Sequence, residues 1–372
     1  MGIYQPTLQC NFRCPYCDDG TGTIYPHRDD IKAGDLDLTK KALKEFKKVC
    51  PALAVSGGEA TLRNDIVEIM RYAAEVGFNP ISLNTNAFLL DRYMEVLKYV
   101  DFLIVSLDTF NSDRKQKMSG LKKSSQTDRV FENITAAEKY RADNKLDFDI
   151  IVNTLVLPET IADAWEVFDY CVKNNFYWSP MPHVSVVYPN SGLVDNPLWL
   201  ELMDEVIRAK KSGARIFGSL KGLEIVRNFS RFECYPVSRI TMTPEGDIYY
   251  PCAPLNVKAG NILESTYKNI IKEGERQAGV IPRCDTRCHI SCYLEGSLMI
   301  SHPLSAIREA VSLFKSRSKS FTLKRPDKVI KYGEIPETAD FQNMLSMSPE
   351  KVRNVRAQNL IENDFTSYSR LK

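Results

Sequence analysis

The sequence predicts an α/β fold in which a partial, open-sided (β/α)6 barrel precedes a small cysteine-rich α+β extension. Over residues 1–215, short and nearly continuous apolar runs alternate with amphipathic runs, as expected for strands that are buried on both faces and joined by helices. Six such units in series imply a parallel sheet with right-handed crossovers, and six is fewer than the eight of a closed barrel. After Gly213 the alternation ends, and a predicted hairpin and a group of cysteines follow.

The elements of the barrel are predicted one by one from these runs. The strand candidates are YQPTL (4–8), LAVS (53–56), PISLN (80–84), FLIVS (102–106), FDIIVNTLV (148–156) and VSVVY (184–188). Between them, Thr39 is expected to cap one helix, and Asn64 and Gly77 are expected to begin and end the next. In the extension, residues 238–252 predict a hairpin with PEGD as its turn, and residues 283–297 predict a cysteine-rich turn region. Residues 303–314 have the apolar spacing of an amphipathic helix.

Composition narrows the class of protein. Hydrophobic residues make up 44% and charged residues 26% of the chain, a profile typical of soluble globular proteins. The formal net charge of +2 gives no global field that would favour nucleic acid. No apolar stretch has transmembrane length, and no secretory signal is visible. We therefore expect a cytoplasmic protein, in a reducing compartment where structural disulfides are rare.

Eight of the ten cysteines fall into two groups, and this is the main functional signal in the sequence. Cys50 and Cys171 each end a helix-like run and are expected to be small buried hydrophobes. The clustered cysteines are Cys10, Cys14 and Cys17 near the start of the chain, and Cys234, Cys252, Cys284, Cys288 and Cys292 in the extension. In a reducing compartment, clustered thiols are typical of metal or iron–sulfur ligands.

The first group contains three thiols on a short loop after the first strand candidate, at the edge where barrel active sites assemble. A four-iron cluster normally takes four thiolates, so three ligands leave one iron with an open position. An open coordination position is typical of a catalytic site, because catalytic zinc sites keep one whereas structural zinc sites do not. Zinc itself would need a fourth ligand, and His27 is the only histidine in the first 180 residues.

The segment CNFRCPYC resembles the CxxxCx(aromatic)C signature of the radical S-adenosylmethionine (SAM) superfamily, with Tyr16 as the aromatic residue. Three further segments are similar to that family. Gly57-Gly58-Glu59 matches its GGE motif, VSLDT (105–109) matches a segment that commonly lies beside the cofactor, and Asn153 stands where members often contact the ribose. The resemblance covers residues 3–215 and implies a partial TIM-like (β/α)6 barrel.

The resemblance also implies a mechanism. The amino and carboxylate groups of SAM chelate the open iron of a [4Fe–4S] cluster, and an electron from a flavodoxin- or ferredoxin-type donor cleaves the C5′–S bond. The products are methionine and a 5′-deoxyadenosyl radical, which abstracts a hydrogen from an unactivated carbon or adds to an alkene. The expected cofactor-binding residues are Tyr16, Gly57, Gly58, Glu59, Asn84, Ser106, Asp108 and Asn153, with Asn86 also near the site.

Two purely structural alternatives apply to these residues. The GGE segment could be an ordinary β–α turn with a surface glutamate. Ser106 and Asp108 could simply cap the helix that follows their strand.

The second cysteine group resembles the SPASM and twitch extensions of the superfamily, although its spacing departs from theirs. With Gly246 between the first two cysteines, the five thiols imply one auxiliary [4Fe–4S] cluster with a spare or labile ligand. Zinc, with His289 as an extra ligand, is the alternative, while His183 and His302 are expected to be ordinary polar residues. The predicted boundaries are 1–215 for the barrel, 216–300 for the auxiliary domain and 301–372 for a C-terminal helix, basic segment and tail.

The segment RCDTRCHISCYLEGS (283–297) is also similar to the C-terminal region of hopanoid adenosyltransferases and related lipid-acting radical enzymes. The amphipathic and basic stretch 303–331 that follows could rest on an anionic membrane, peripheral to its inner face, or could be a packed helix and a solvated linker.

Three functions remain open from the sequence. The first is a radical enzyme that acts on a small molecule or lipid, and the second is a peptide- or protein-modifying radical enzyme. The first strand begins almost at Met1, so neither a leader-binding nor a cobalamin-binding domain is expected before the barrel. The third is a non-catalytic protein that binds a cluster or zinc.

Overall fold

The barrel strands form one continuous sheet. The computed structural model describes residues 1–14, 16–17, 35–121, 127–185, 188–284, 288–303 and 323. Six parallel strands lie side by side in chain order: β1 (Gly2–Tyr4), β2 (Leu53–Val55), β3 (Ile81–Thr85), β4 (Phe102–Ser106), β5 (Asp149–Val156) and β6 (Tyr177–Pro182). Because they are parallel and consecutive, their carboxyl ends meet at one edge. This is the predicted partial (β/α)6 barrel.

Helices connect these strands and cover the sheet. They are α1 (Leu36–Lys47), α2 (Ile66–Glu75), a kinked 3-10 segment (Leu90–Tyr99), α3 (Ser112–Ser119), α4 (Asp128–Asp143), α5 (Ile161–Lys173), α6 (Pro197–Lys211) and α7 (Leu220–Asn228). The core lies between the sheet and these helices. In α1, for example, Leu43 and Phe46 are fully buried, as is Leu53 of β2. The periodic spacing of such residues is what makes each helix amphipathic.

The extension continues the same sheet on its other side. A two-stranded turn, β7 (Val184–Ser185) and β8 (Tyr188–Pro189), follows the barrel, and then come β9 (Ile240–Met242), β10 (Asp247–Tyr250) and β11 (Val257–Asn261). Strand β9 pairs in parallel with β1, whereas β10 and β11 are antiparallel. Two helices complete the extension: α8 (Tyr267–Ala278) and α9 (Ser291–Ser301).

Several boundary predictions are wrong. The sixth barrel strand is 177–182 rather than 184–188, whose described residues belong to the small β7–β8 turn. Strand β6 contains Pro180 and Pro182, which have no backbone N–H to donate. They are tolerated because β6 lies at the edge of the sheet, where no further strand needs those donors. The first strand is 2–4 rather than 4–8, so the cysteine loop begins earlier than predicted.

The two predicted N-terminal caps are also wrong, whereas Gly77 ends α2 as predicted, with a φ of +87° directly after the C-cap Val76. Helix α1 begins one turn earlier, because the Asp35 carboxylate accepts hydrogen bonds from the backbone N–H groups of Asp37 and Leu38. Thr39 is buried instead, with its hydroxyl 3.2 Å from that of Tyr4. Helix α2 has Asp65, not Asn64, at its N-terminal boundary.

In the extension, the PEGD turn is confirmed by the Thr243–Asp247 backbone hydrogen bond of 2.9 Å. The predicted cysteine-rich turn is partly wrong, because Cys292 lies on α9. The predicted amphipathic helix 303–314, the basic segment up to 331 and the tail lie outside the described residues, apart from positions 303 and 323. In the described part of the chain, no helix has both the length and the apolar character needed to span a membrane.

Candidate active site

The loops at the carboxyl ends of the barrel strands enclose a cavity of about 370 Å³. All three cysteines of the first group line it. So do all eight residues that the sequence placed at the cofactor: Tyr16, Gly57, Gly58, Glu59, Asn84, Ser106, Asp108 and Asn153. The parallel topology causes this convergence, because each of these residues lies in or after a strand whose end opens on the same edge.

The cysteine loop is held by its own backbone and by helix α3. The backbone N–H of Phe12 donates to Cys10 Sγ at 3.4 Å, and that of Arg13 donates to the carbonyl of Ser119 at 2.7 Å. Burial raises the pKa of Cys10 to about 11 and that of Cys14 to about 12. Thiols with such pKa values keep their protons at neutral pH. They lose the protons when they coordinate a metal centre, because coordination deprotonates a thiol.

The two glycines of the GGE segment allow this loop to pack against the cysteine loop. A Cβ on Gly58 would lie 2.0 Å from the carbonyl oxygen of Gln9, and one on Gly57, whose φ is +114°, would lie 2.5 Å from that of Thr7. Backbone hydrogen bonds follow the same contact, from Gly58 to Thr7 (3.0 Å) and from Glu59 to Gln9 (2.8 Å). The backbone of the GGE segment, which was expected to approach the cofactor closely, therefore also approaches the protein's own cysteine loop closely.

The side chain of Glu59 is buried and links two loops by hydrogen bonds. Its side chain is only 1% exposed, so the alternative of a surface glutamate is wrong. Oε1 accepts hydrogen bonds from the N–H and hydroxyl of Thr61 and from the hydroxyl of Thr85, while Oε2 accepts one from the N–H of Asn86 at 2.7 Å. The carboxylate thus joins the GGE loop to the end of β3. Oε2 has acceptor capacity left for a ligand ammonium.

Asp108 organises the opposite wall. Its Oδ2 accepts from the Tyr16 hydroxyl at 2.9 Å, and its Oδ1 accepts from the N–H of Leu155 at 2.8 Å. Burial and the neighbouring Asp108 carboxylate raise the pKa of Tyr16 well above its usual range, so the phenol remains a donor. Helix α3 is capped by Asn111 and not by Ser106 or Asp108, so the capping alternative is wrong.

Polar groups with spare hydrogen-bonding capacity face the cavity between these walls. Asn84 Oδ1 is buried, and among the described residues it has no hydrogen-bond partner. Its amide nitrogen is 3.4 Å from the hydroxyl of Ser56. Ser106 and Asn153 stand directly opposite each other in the β4–β5 register. Buried polar atoms in native proteins almost always have partners, so these groups fit a bound polar cofactor.

Several cavity residues were missed by sequence reasoning, Lys115 and His183 among them. Lys115 of α3 is only 3% exposed, and within the described ranges its ammonium has no hydrogen-bond or ion-pair partner. The run DRKQK gives no sign of this, because a charged helix segment normally faces solvent. His183, expected to be an ordinary polar residue, also lines the cavity, with Nδ1 3.2 Å from the amide of Asn190.

The second cysteine group is also brought together. Cys234 and Cys284 form an antiparallel bridge with reciprocal backbone hydrogen bonds of 2.8 Å. Burial, together with the neighbouring thiols Cys234, Cys284 and Cys292, raises the pKa of Cys252 to about 12. Burial likewise raises the pKa of Cys288 well above its usual range. All ten cysteines lie within the described ranges, and none forms a disulfide.

Zinc and a four-iron cluster need different arrangements of the same thiols. In the ranges that the structure describes, no three His, Cys, Asp or Glu side chains are close enough to enclose one ion. Zinc draws its ligands to about 2.0–2.3 Å from one point, whereas a four-iron cluster binds each thiolate at a separate iron. The Nε2 of His289, the possible extra zinc ligand, is 3.1 Å from the carbonyl oxygen of Ser230, and its ring packs on Phe229.

The two cysteine groups share a boundary. His289, Ile290 and Ser291, which lie between Cys288 and Cys292, line the same cavity as the first group. By contrast, His302 is exposed and 2.7 Å from Lys221, away from the cavity lining.

Comparison with curated proteins finds relatives that are named GTP 3′,8-cyclases. A probable GTP 3′,8-cyclase of Methanothermobacter thermautotrophicus is 27% identical over 267 residues, covering 66% of this chain and 81% of that protein. A second, from Methanococcus maripaludis, is 30% identical over 172 residues, which span only 53% of its length.

Solved structures agree on the fold. SuiB of Streptococcus suis bound to its precursor peptide SuiA matches with a TM-score of 0.56 and 18% identity, covering 72% of this chain and 63% of that one. Native anSMEcpe with bound AdoMet matches with a TM-score of 0.54 and 16% identity, covering 84% of this chain and 99% of that one. At these identities the likeness concerns the fold.

The family match coincides with the site. Residues 4–171 match the radical SAM superfamily domain, and this range contains the three cysteines, the GGE loop and the polar strand ends that line the cavity. Members of this family bind a [4Fe–4S] cluster and SAM, and the thiols and unsatisfied polar atoms of the cavity fit those groups. The chain therefore contains a radical SAM domain, which spans residues 4–171.

Proposed function

We propose that this enzyme cleaves SAM reductively at a cluster held by Cys10, Cys14 and Cys17 and uses the radical on an unactivated carbon of a small-molecule or lipid substrate. A single observation carries the proposal: the three thiols, the GGE loop and the polar ends of β3, β4 and β5 line one cavity. When bound, the cluster and SAM supply the 5′-deoxyadenosyl radical. A flavodoxin- or ferredoxin-type donor is expected to supply the electron.

The chain's own residues bind and orient the cofactor. The exposed backbone of the GGE loop and Glu59 Oε2 are placed to accept hydrogen bonds from the cofactor ammonium. Asn84, Ser106 and Asn153 present side-chain donors and acceptors for its sugar. The Tyr16–Asp108 hydrogen bond fixes the end of the cysteine loop against β5, since Asp108 also binds the backbone of Leu155.

We also propose that the second group holds an auxiliary [4Fe–4S] cluster. Its five thiols lie near one another, as their mutual electrostatic influence indicates. Since His289 to Ser291 line the barrel cavity, a substrate held there would lie between the two cysteine groups.

Anaerobic reconstitution tests both clusters. We expect about eight irons per chain, four for each cluster. On reduction with dithionite, the reconstituted protein should form 5′-deoxyadenosine from SAM. A chain that binds two zinc ions and forms no 5′-deoxyadenosine would contradict the enzyme proposal and the auxiliary cluster together.

Lys115 gives a sharper prediction about the cofactor. A buried ammonium needs an anionic partner, and the carboxylate of SAM beside the cysteine loop would provide one. We expect Lys115→Met to lower the affinity for SAM by roughly 10- to 100-fold, the range of a lost charge-assisted hydrogen bond. Lys115→Arg should retain most of the affinity. Equilibrium dialysis of reconstituted protein measures the change.

The matched control is Lys117→Met, because Lys117 is an exposed residue of the same helix. Its affinity for SAM should be unchanged. Equal affinities for wild type and Lys115→Met would show that Lys115 serves another anion, such as a carboxylate of the substrate.

GTP is the second candidate substrate, because the curated relatives are named GTP 3′,8-cyclases. A triphosphate carries several negative charges and normally needs several cations. Among the described residues that line the cavity, Lys115 is the only lysine or arginine. This favours a neutral or singly charged substrate. Consumption of GTP by the reduced enzyme, followed by chromatography, would decide in favour of the cyclase reaction.

A further inference from the structure

Arg239 lies beside the second cysteine group, at the start of β9. A Cβ added to Gly296 would be 3.2 Å from Arg239 Cζ, so the guanidinium rests directly on helix α9. Gly296 is one helical turn after Cys292, and residues four apart on a helix share a face. The guanidinium therefore lies on the face of α9 that carries Cys292.

The hydrogen bonding of Arg239 is incomplete. Its Nη1 donates to the carbonyl of Ser238 at 3.3 Å, but its Nε is buried and, within the described ranges, has no partner. The hydroxyl of Ser238, which is also buried and unpartnered among those residues, faces the same point of α9, 2.7 Å from the position of a Gly296 Cβ. Buried donors without partners are rare in native proteins and mark a missing acceptor.

The electrostatics agree with this placement. Burial raises the pKa of the Cys292 thiol, and Arg239 is the largest influence that opposes the rise. The guanidinium is thus near enough to stabilise negative charge on that sulfur. Arg283 is a useful contrast, because it adjoins Cys284 in sequence but its side chain is 62% exposed and paired with Glu233 at 2.7 Å. Solvent and its carboxylate partner screen that charge.

We propose that Arg239 donates a hydrogen bond to a sulfur of the auxiliary centre at Cys292 and thereby raises the reduction potential of that centre. The inference rests on the proposed function, since it requires an iron–sulfur cluster in the second cysteine group. Reduction adds one electron to the cluster, and a nearby positive charge with a hydrogen bond to its sulfur stabilises the more negative, reduced form. Arg239 is a tuning residue and is not expected to touch the substrate.

The test isolates the auxiliary centre. In the full chain, Cys10, Cys14 and Cys17 are all replaced by alanine, so that after anaerobic reconstitution only the second group can hold a cluster. A titration with dithionite, monitored by EPR, then gives the midpoint potential. We expect Arg239→Met to disfavour reduction at least tenfold, which lowers a one-electron potential by ~59 mV.

Conservative variants and a matched control complete the set. Arg239→Lys keeps the charge and should recover most of the potential, whereas Arg239→Gln keeps hydrogen-bond donors without the charge and should fall between Lys and Met. Arg283→Met removes an exposed cation next to Cys284 and should shift the equilibrium less than threefold. If Arg239→Met binds no iron, the reduction potentials of the other two variants test the role of Arg239 instead. Arg239→Lys should then have the higher potential and Arg239→Gln the lower.

The outcomes separate the two proposals. A cluster that is present in every variant with one unchanged potential contradicts the role of Arg239 and leaves the auxiliary cluster standing. A triple-alanine parent that binds no iron, or binds zinc, contradicts the auxiliary cluster and the inference together. Neither result bears on the SAM-binding cluster, which that parent lacks.

Discussion

Replacement of Cys14 by alanine is expected to abolish the formation of 5′-deoxyadenosine from SAM, by more than about a thousandfold. Cys14 lines the cavity together with Cys10 and Cys17, and apart from these three no cysteine among the described residues lines it. The cluster would therefore lose one of its three protein ligands without a substitute. The bound iron should fall by about four atoms per chain, since the auxiliary group is untouched.

The matched control is Cys50→Ala. Cys50 is 3% exposed and its thiol donates to the carbonyl of Phe46 at 3.4 Å, within the core and away from the cavity. Its loss should lower the free energy of unfolding by about 1 kcal/mol and leave SAM cleavage intact. Measurement of 5′-deoxyadenosine and iron in both variants decides the matter. Cleavage that survives in Cys14→Ala would show that the loop does not hold the catalytic cluster.

Gly58→Ala is expected to have the second largest effect, on stability and on the cluster together. The added methyl group would lie 2.0 Å from the carbonyl oxygen of Gln9 and 2.8 Å from the carbonyl carbon of Leu8, and both of these are backbone atoms. Backbone cannot turn aside as a side chain does, so the GGE loop and the cysteine loop must separate. We expect the free energy of unfolding to fall by about 3 kcal/mol, the upper range for overpacking, and the bound iron to fall with it.

Gly77→Ala provides the comparison. Gly77 lies in the connection from α2 to β3, its φ is +87°, and the nearest atom to an added Cβ is Lys47 Cε at 4.0 Å. That variant should lose about 1–2 kcal/mol from the left-handed backbone conformation and keep its iron. Urea unfolding of the apoprotein and iron analysis after reconstitution measure both effects. If Gly58→Ala binds iron as wild type does, the contact between the two loops is not needed for the cluster.

The fold could be predicted largely from periodicity. Alternation of apolar strands with amphipathic helices reports how a parallel sheet is buried, and the six parallel strands follow in the expected order. The errors occur where a local signal competes with the position of an element in the sheet. Pro180 and Pro182 argue against a strand in sequence, yet β6 accepts them because it lies at the edge of the sheet. The pairing of β9 with β1, between ends far apart in the chain, leaves no local trace.

The sequence by itself determined the candidate residues for the chemistry, because the spacing of three cysteines and the GGE segment are local patterns. Only the tertiary structure decided what surrounds them. It buried Glu59 among Thr61, Thr85 and Asn86, brought Lys115 into the cavity, and set Arg239 against the helix of Cys292. The physical reason is that a motif specifies which atoms can bind a group, whereas burial, unpaired charge and orphaned donors depend on packing between segments that are distant in sequence.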